Sequence, residues 1–173
     1  MKIKKIVTGS LEENCYVLVN NSDCLVVDPG DDFYKIKEEI KDLNLVGILI
    51  THHHFDHVGA LDELLEYKNV KIYDYNLDEN EYEFNNFKFN IIKTPGHTSD
   101  SITFYFKEDN IMFTGDFIFK GTIGRTDLPT GDMKEMENSI KKIKKYDKDI
   151  TLYPGHGDNT TLDYEINNNY FFT

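Results

Sequence analysis

Four of the six histidines of this 173-residue chain fall between His52 and His57, in the segment THHHFDHVG. The preceding run LVGILI is apolar and rich in β-branched residues, which predicts a buried strand. Apolar residues then recur at helical spacing at Val58, Leu61, Leu64 and Leu65. The imidazoles therefore lie between the end of a strand and the start of a helix, with His57 close to the N-terminus of the helix. This restricts the chain to folds that collect polar side chains at one edge of a sheet.

The residue types of this segment predict metal binding. Imidazole nitrogen and carboxylate oxygen are standard ligands of zinc and related divalent ions. His52 and His54 are two residues apart, so both side chains can point to one side of an extended segment. Asp56 and His57 follow where the chain turns into the helix, and both can reach a neighbouring point. Because a catalytic ion takes three protein ligands and keeps one position open, each pair requires a third ligand from elsewhere.

The remaining candidates each follow a strand-like run: His97 in TPGHTSDS, Asp116 in MFTGDF and His156 in YPGHGD. We predict one ion on His52, His54 and His97, a second on Asp56, His57 and His156, and Asp116 as the bridge between them. Two such ions, roughly 3.5–4 Å apart, would share a hydroxide and bind a carbonyl or phosphoryl oxygen.

Two residues of the segment have predicted roles other than simple metal binding. Asp56 is the predicted catalytic residue, because its carboxylate helps to orient the hydroxide. His53 should point away from His52 and His54, toward packing around the ligands or toward the surface.

The remaining elements predict an α+β fold of two packed sheets with helices outside, in a single domain spanning residues 1–173. Strands are predicted for KIKKIV, CYVLVN, CLVVD and VKIYDY, for hairpins turning at Asn85–Asn86 and at Glu108–Asp109, and for ITLYP. One helix is predicted by the apolar stripe Phe33, Ile36, Ile40 and Leu43, and a second by the stripe Met133, Met136, Ile140 and Ile143. A short helix is also expected near the end of the chain. Cys24 should lie opposite about Val19, too far from Cys15 for a disulfide, so both are expected to be buried thiols.

The charge balance excludes some partners. The chain has 31 acidic and 19 basic residues, a net charge of −12, whereas nucleic acid and anionic membranes require a basic surface. No apolar run reaches membrane-spanning length, and MKIKKIVTGS lacks the apolar core of a signal peptide. We expect a cytoplasmic protein with a small-molecule substrate. Nothing in the sequence indicates an oligomeric state.

The candidate ligands resemble the pattern of the metallo-beta-lactamase superfamily, H-x-H-x-D-H followed by separated His, Asp and His, from about Ile3 to Gly157. The resemblance implies a four-layer αββα sandwich with the site at the sheet edges and two divalent ions, zinc first, with iron or manganese as alternatives. THHHFDHVGA, VVDPG and TPGHT are most similar to glyoxalase II, the hydroxyacylglutathione hydrolases. That similarity implies attack of metal-bound hydroxide on a thioester such as S-lactoylglutathione or a related thiol ester.

Two departures leave alternatives open. The chain ends soon after His156, before the basic helical extension that binds glutathione in larger glyoxalase II enzymes, and GTIGRTDLPTGD is typical of compact relatives. A similar G-R-T-D segment occurs in persulfide dioxygenases, which use a single iron. In this chain that iron would bind His52, His54 and Asp116, and His156 would have no role. Another ester or lactone hydrolase of the superfamily is the second alternative.

Three further residues lie near the predicted ligands in the sequence or are expected to border the site. Arg125 is the one arginine beside 18 lysines, in a glycine-flanked loop expected to border the metal cleft. Its planar guanidinium could bind a substrate carboxylate, or form an ion pair with Asp127 or Asp132. Asp28 in VVDPG either supports the ligand loops or is a turn residue. Asp100 stands where the family usually has glycine, and no role follows from the sequence.

Overall fold

The computed structural model describes all 173 residues, Met1–Thr173. The strands are β1 (Lys2–Thr8), β2 (Glu13–Asn20), β3 (Asp23–Val27), β4 (Asn44–Leu49), β5 (Lys71–Tyr73), β6 (Glu81–Phe84), β7 (Phe87–Lys93), β8 (Ile102–Phe106), β9 (Ile111–Gly115), β10 (Ile118–Phe119), β11 (Thr122–Ile123), β12 (Thr151–Pro154) and β13 (Thr160–Thr161). The helices are α1 (Phe33–Ile40), α2 (Phe55–Val58), α3 (Leu61–Tyr67), α4 (Met133–Ile143) and α5 (Leu162–Asn168), with a 3-10 turn at Tyr170–Phe172.

Two sheets carry most of the strands. The first has the order β1-β2-β3-β4-β5, antiparallel as far as β3 and parallel from β3 to β5. The second has the order β13-β12-β9-β8-β7-β6, in which only β12 and β9 run parallel. The strands β10 and β11 form a separate small hairpin.

Alternating side chains of each sheet enter different layers of the core. On β2, Tyr16 and Leu18 face the second sheet, where they join a cluster that includes Phe89 and Phe113. Cys15 and Val17 face the opposite side with Cys24, and pack against Ile36 and Ile40 of α1 and Leu64 of α3. Met112 and Leu152 of the second sheet pack outward against Met136, Ile140 and Ile143 of α4 and Leu162 of α5. The layers are helix, sheet, sheet, helix, which confirms the predicted αββα sandwich.

Most predicted elements are present, with shorter ends. Helix α1 stops at Ile40, before Leu43, and the hairpins turn at Asn85–Asn86 and between Phe106 and Ile111 as predicted. Cys24 pairs with Val19, and both cysteines are free and buried, as expected. No helix combines the length and the apolar character needed to cross a membrane.

One prediction needs correction: the helix that begins inside the histidine segment is two helices, α2 and α3. The backbone N–H of Ala60 donates to the carbonyl of Pro29 (3.0 Å), so the chain leaves the helical hydrogen-bond pattern there. At Gly59 the backbones lie so close that a Cβ would stand 2.2 Å from the carbonyl oxygen of Gly30. This contact positions Asp56 and His57 against the loop after β3.

Candidate metal centre

The predicted ligands lie on loops that leave the carboxyl ends of strands at one edge of the sandwich. The segment with His52 to His57 follows β4 of the first sheet, whereas Asp116 follows β9 and His156 follows β12 of the second sheet. His97 lies on the loop between β7 and β8. Strands far apart in sequence therefore deliver all of the predicted ligands to one place.

His52, His54 and His97 form the first group. The Nδ1 atom of His54 lies 3.1 Å from Nε2 of His52 and 3.0 Å from Nε2 of His97. Ligand nitrogens about 2.0–2.1 Å from a tetrahedral ion lie roughly 3.3 Å from one another, so this spacing fits a single ion.

Asp56, His57 and His156 form the second group. The Oδ2 atom of Asp56 lies 3.3 Å from Nε2 of His156 and 3.9 Å from Nε2 of His57. Candidate ligand atoms of each group lie within 4.8 Å of one another.

Asp116 lies between the two groups. Its Oδ1 atom is 3.2 Å from Nε2 of His57, and its Oδ2 atom is 3.6 Å from Nε2 of both His97 and His156. One oxygen therefore faces the second group and the other faces both groups, which is the arrangement predicted for a bridging carboxylate.

Two buried atoms at the centre of the cluster, Nε2 of His57 and Oδ1 of Asp116, face each other at 3.2 Å without the geometry of a hydrogen bond, and neither has another partner. Buried polar atoms are almost always paired in folded proteins, so each exception requires an explanation. A divalent cation between these atoms would satisfy both. The residues present therefore fit a bound metal, although their role as ligands stays a prediction.

The pKa values of the predicted ligands shift in both directions, and only those of His52 and His54 favour the neutral imidazole with a free lone pair. Burial and the neighbouring imidazoles lower the pKa of His52 well below its usual value, and burial with His97 lowers the pKa of His54. Burial opposes the charged forms of His57 and Asp116. Asp116 and Asp28 together outweigh it at His57 and raise its pKa, and His57 outweighs it at Asp116 and lowers its pKa. A cation at Nε2 of His57 would replace a proton there with positive charge facing the same carboxylate.

Backbone carbonyls orient two of the predicted ligands. Nδ1 of His97 donates to the carbonyl oxygen of Arg125 (2.7 Å), and Nδ1 of His156 donates to the carbonyl oxygen of Leu11 (3.1 Å). Since a carbonyl can only accept, both Nδ1 atoms carry the proton, and in the neutral imidazoles both Nε2 atoms present a lone pair to the cluster. For His156 burial opposes the charged form, but the contact with Asp56 outweighs it and raises its pKa, so a cation at Nε2 would have to displace a proton.

Asp28 supports the ligand loop. Its Oδ1 atom accepts from the backbone N–H of Thr51 (2.7 Å), and its Oδ2 atom accepts from Oγ1 of Thr51 (2.6 Å) and from Nδ1 of His57 (3.0 Å). The residue is buried and has φ of 47°, a left-handed conformation that costs a non-glycine residue about 1–2 kcal/mol. Of the two interpretations of the sequence, these contacts favour the supporting role.

Glu13 is a member of the site that the sequence analysis missed. Its carboxyl is buried, with Oε2 accepting from Oγ1 of Thr8 (2.7 Å) and with Oε1 unpaired 3.9 Å from Nδ1 of His57. Burial raises the pKa of Glu13 to about 9. The backbone of Glu13 also forms a β-bridge with His156, which fixes the β2 end beside the second ligand group.

The structure gives roles to His53 and Asp100. His53 points away from the cluster, as expected, and Oδ2 of Asp100 accepts from both its backbone N–H (3.1 Å) and its Nδ1 (2.6 Å). A second link joins the same loops, because the N–H of Ile102 donates to the carbonyl of Thr51 (2.9 Å). Asp100 thus ties the loop of His97 to the segment of His52 and His54.

Gly155 lies against the predicted ligands. A Cβ on this residue would stand 2.4 Å from Oδ1 of Asp116 and 2.5 Å from Cε1 of His57. Only glycine allows the β12 loop to approach the centre this closely.

Arg125 borders the cleft, but it is already paired. Its Nε and Nη2 atoms each donate to Asp127 at 2.7 Å, so of the two ion pairs considered the one with Asp127 forms. Both side chains are exposed, and exposed pairs contribute little to stability. The remaining N–H groups of the guanidinium stay available to a ligand.

A cleft of about 570 Å³ opens onto the cluster. Predicted ligands form its floor: His54, Asp56, His97, Asp116 and His156. Its walls include the apolar side chains of Leu11, Phe55, Phe119, Ile123 and Leu128, and Arg125 is its one cationic residue. The volume is within the range typical of small-molecule sites.

A family model described as the metallo-beta-lactamase superfamily matches residues 8–85 and 75–156 of the chain. These ranges include every predicted ligand. A hydroxyacylglutathione hydrolase, GloC, of Haemophilus influenzae is 32% identical, over 99% of this chain and 98% of that protein.

Solved structures share the whole architecture. The BLEG-1 B3 metallo-beta-lactamase superposes with a TM-score of 0.96 at 29% identity, covering 99% of this chain and 100% of that chain. TTHA1623 in a di-iron-bound form gives 0.89 at 30% identity, covering 97% and 99% respectively.

Proposed function

We propose that this chain, which belongs to the metallo-beta-lactamase superfamily of hydrolases, is a dinuclear thioesterase of the glyoxalase II type. Its substrate would be S-lactoylglutathione or a related thiol ester. The observation that carries the proposal is the arrangement of two three-ligand groups that share Asp116 beneath one cleft. Structural zinc sites are instead closed by four ligands, often including cysteine, and neither cysteine lies here.

The ligand groups fit two divalent ions, one on His52, His54 and His97 and one on Asp56, His57 and His156, with Asp116 shared. We propose zinc, with iron or manganese as alternatives; the likeness to a di-iron protein supports iron among these. Such ions, when bound, would lower the pKa of water toward about 7 and polarise the carbonyl oxygen of the substrate.

The protein groups around the ions would position the reactants. Asp56 is the proposed catalytic residue, because its partly exposed carboxylate on the cleft floor can accept a hydrogen bond from the attacking water. Arg125 is the proposed substrate-binding residue, using the N–H groups that Asp127 leaves free to hold a carboxylate of the thiol arm. Asp28 keeps His57 oriented from behind through its contact with Nδ1.

Two alternatives remain within the superfamily. A mononuclear persulfide dioxygenase would need only His52, His54 and Asp116. The convergence of Asp56, His57 and His156 disfavours it. An ester, lactone or β-lactam hydrolase is the second candidate, and the likeness to a B3 metallo-beta-lactamase favours testing a β-lactam. The acidic charge supports a small-molecule substrate, and we propose that a single cytoplasmic domain acts on it without nucleic acid or membrane.

The test is loss of thioester absorbance when the zinc-loaded protein meets S-lactoylglutathione. We expect turnover that disappears in His54→Ala and persists in His53→Ala at saturating metal, because His53 points away from the cluster. Hydrolysis of a chromogenic cephalosporin without thioester hydrolysis would favour the lactamase activity. Oxygen consumption with glutathione persulfide by a protein holding one iron would favour the dioxygenase.

A further inference from the structure

The rim of the cleft exposes large apolar side chains. Phe55 is 75% exposed and Leu11 is 51% exposed, and Phe119 lines the same cleft. We call these three residues the apolar wall. Exposed aromatic and aliphatic side chains gathered beside a functional site mark a binding surface more often than scattered ones do.

Two members of the apolar wall, Leu11 and Phe119, lie beside His156, and Phe55 lines the cleft directly after His54. The carbonyl of Leu11 accepts from Nδ1 of His156 (3.1 Å), and the ring of Phe119 lies 6.1 Å from the imidazole of His156. On the other side, the carbonyl of Arg125 accepts from Nδ1 of His97 (2.7 Å). Leu11 and Phe119 therefore lie over the second ligand group, whereas Arg125, the one cationic residue of the cleft, lies over the first, with Ile123 and Leu128 as further apolar lining.

Leu11 is held in place before any ligand arrives. It lies in a tight turn between β1 and β2, where Gly9 and Glu12 have φ of 62° and 55°. The N–H of Gly9 donates to Asp32 (3.1 Å), which attaches the turn to the start of α1. The carbonyl of Leu11 accepts from Nδ1 of His156. The same turn therefore orients a predicted ligand with its backbone and lines the cleft with the side chain of Leu11.

We propose that the apolar wall binds the acyl arm of the substrate, and that this arm is an alkyl or aryl chain. The inference rests on the proposed thioesterase function. No lysine lines the cleft, and its floor carries the carboxylates of Asp56 and Asp116, so the apolar wall offers no partner for an anionic group. With the carboxylate-bearing thiol arm at Arg125, the acyl arm extends across the ions toward Leu11 and Phe119. The substrate class is a thioester with a charged thiol arm and an apolar acyl arm.

The experiment compares acyl thioesters of glutathione of increasing length, from acetyl through butanoyl to hexanoyl. Each methylene that the apolar wall buries should raise kcat/KM by up to about fourfold. Phe55→Ala and Leu11→Ala should flatten this dependence. Tyr34→Ala is the matched control, since it removes an aromatic ring that is 66% exposed and does not line the cleft.

A binding measurement separates recognition from turnover. Calorimetric titration with S-butyl- and S-hexylglutathione, which are not hydrolysed, should show tighter binding of the longer chain, and Phe55→Ala should abolish the difference. Turnover of acetyl and lactoyl thioesters with no dependence on length would overturn this inference and leave the thioesterase standing. Absence of all thioester turnover, with thioether binding that still strengthens with length, would reject the thioesterase and retain the apolar site. A change of oligomeric state in Phe55→Ala with an unaltered length dependence would instead identify the apolar wall as an interface.

Discussion

The substitution Asp28→Asn tests how the loop after β3 controls the metal centre. The two carboxylate oxygens of Asp28 accept from three donors: the N–H of Thr51, the hydroxyl of Thr51 and Nδ1 of His57. Asparagine has the same shape but only one acceptor oxygen. That oxygen must face the N–H of Thr51, which can only donate, so the amide NH2 takes the place of Oδ2.

The amide NH2 then faces Nδ1 of His57 and favours the tautomer in which Nδ1 accepts. The proton moves to Nε2, the atom that faces Asp116 and the proposed second ion. Metal binding at Nε2 would require the proton on Nδ1 of His57. The N–H of Nδ1 would then face the amide NH2 of the substituted residue, and two donors cannot hydrogen-bond to each other. Loss of such a partner behind a ligand histidine typically costs 10- to 100-fold in metal affinity, which corresponds to about 1.4–2.7 kcal/mol.

The assay is competition between the protein and a chromophoric chelator for Co²⁺, which reports both binding constants. We expect one constant to weaken by about 10- to 100-fold and the other, for the ion on His52, His54 and His97, to change little. Asp31→Asn is the matched control, because this exposed aspartate lies three residues along the same loop and contacts no predicted ligand. Wild-type values for both constants in Asp28→Asn would refute the tautomer argument.

Four further predictions follow from buried or crowded groups. Because burial raises the pKa of Glu13 from 4.5 to about 9, its carboxyl destabilises the metal-free fold increasingly as pH rises through this range. Glu13→Gln should therefore raise the free energy of unfolding in urea at about pH 8, by up to about 5 kcal/mol, and change it little at about pH 5; an equal change at both pH values would contradict this. Chelation should lower Tm by about 8–16 °C for an ion present at about 1,000 times its Kd, and an unchanged Tm would show that the folded protein had bound no ion. Gly155→Ala should weaken metal binding more than about tenfold, because its Cβ would displace two predicted ligands, whereas Gly157→Asn should not, since no atom lies within 4 Å there. Asp100→Ala should weaken only the ion on the first ligand group, by about tenfold, in the Co²⁺ competition; equal loss at both positions would exclude a local role for Asp100.

The fold could be predicted because its elements are locally encoded. The stripes of α1 and α4 and the turn residues at Asn85 and Asn86 are properties of short segments. The faces of β2 and β3 could not be assigned in the same way, since both faces of this sheet are covered and the segments read as continuous apolar runs. The division between α2 and α3 depends on the distant carbonyl of Pro29, which no local pattern reports.

The candidate ligands could be identified from the sequence for a different reason. Each is a chemically distinctive residue at the end of a strand-like run, and the strand ends meet at one edge of the sandwich. Glu13 lacked any such signal, because it begins an ordinary strand and reaches the site through pairing with Thr8 and His156. Asp100 reaches His53 across 47 positions, a contact that exists only in the folded chain.

The most direct test of the central claim measures S-lactoylglutathione hydrolysis while zinc is added stepwise to metal-free protein, with bound metal determined by mass spectrometry. The two ligand groups that share Asp116 predict two ions per chain and turnover that reaches its maximum only when both are bound. Saturation at one ion per chain, or two bound ions without thioester hydrolysis in the presence of an active glyoxalase II control, would contradict the account.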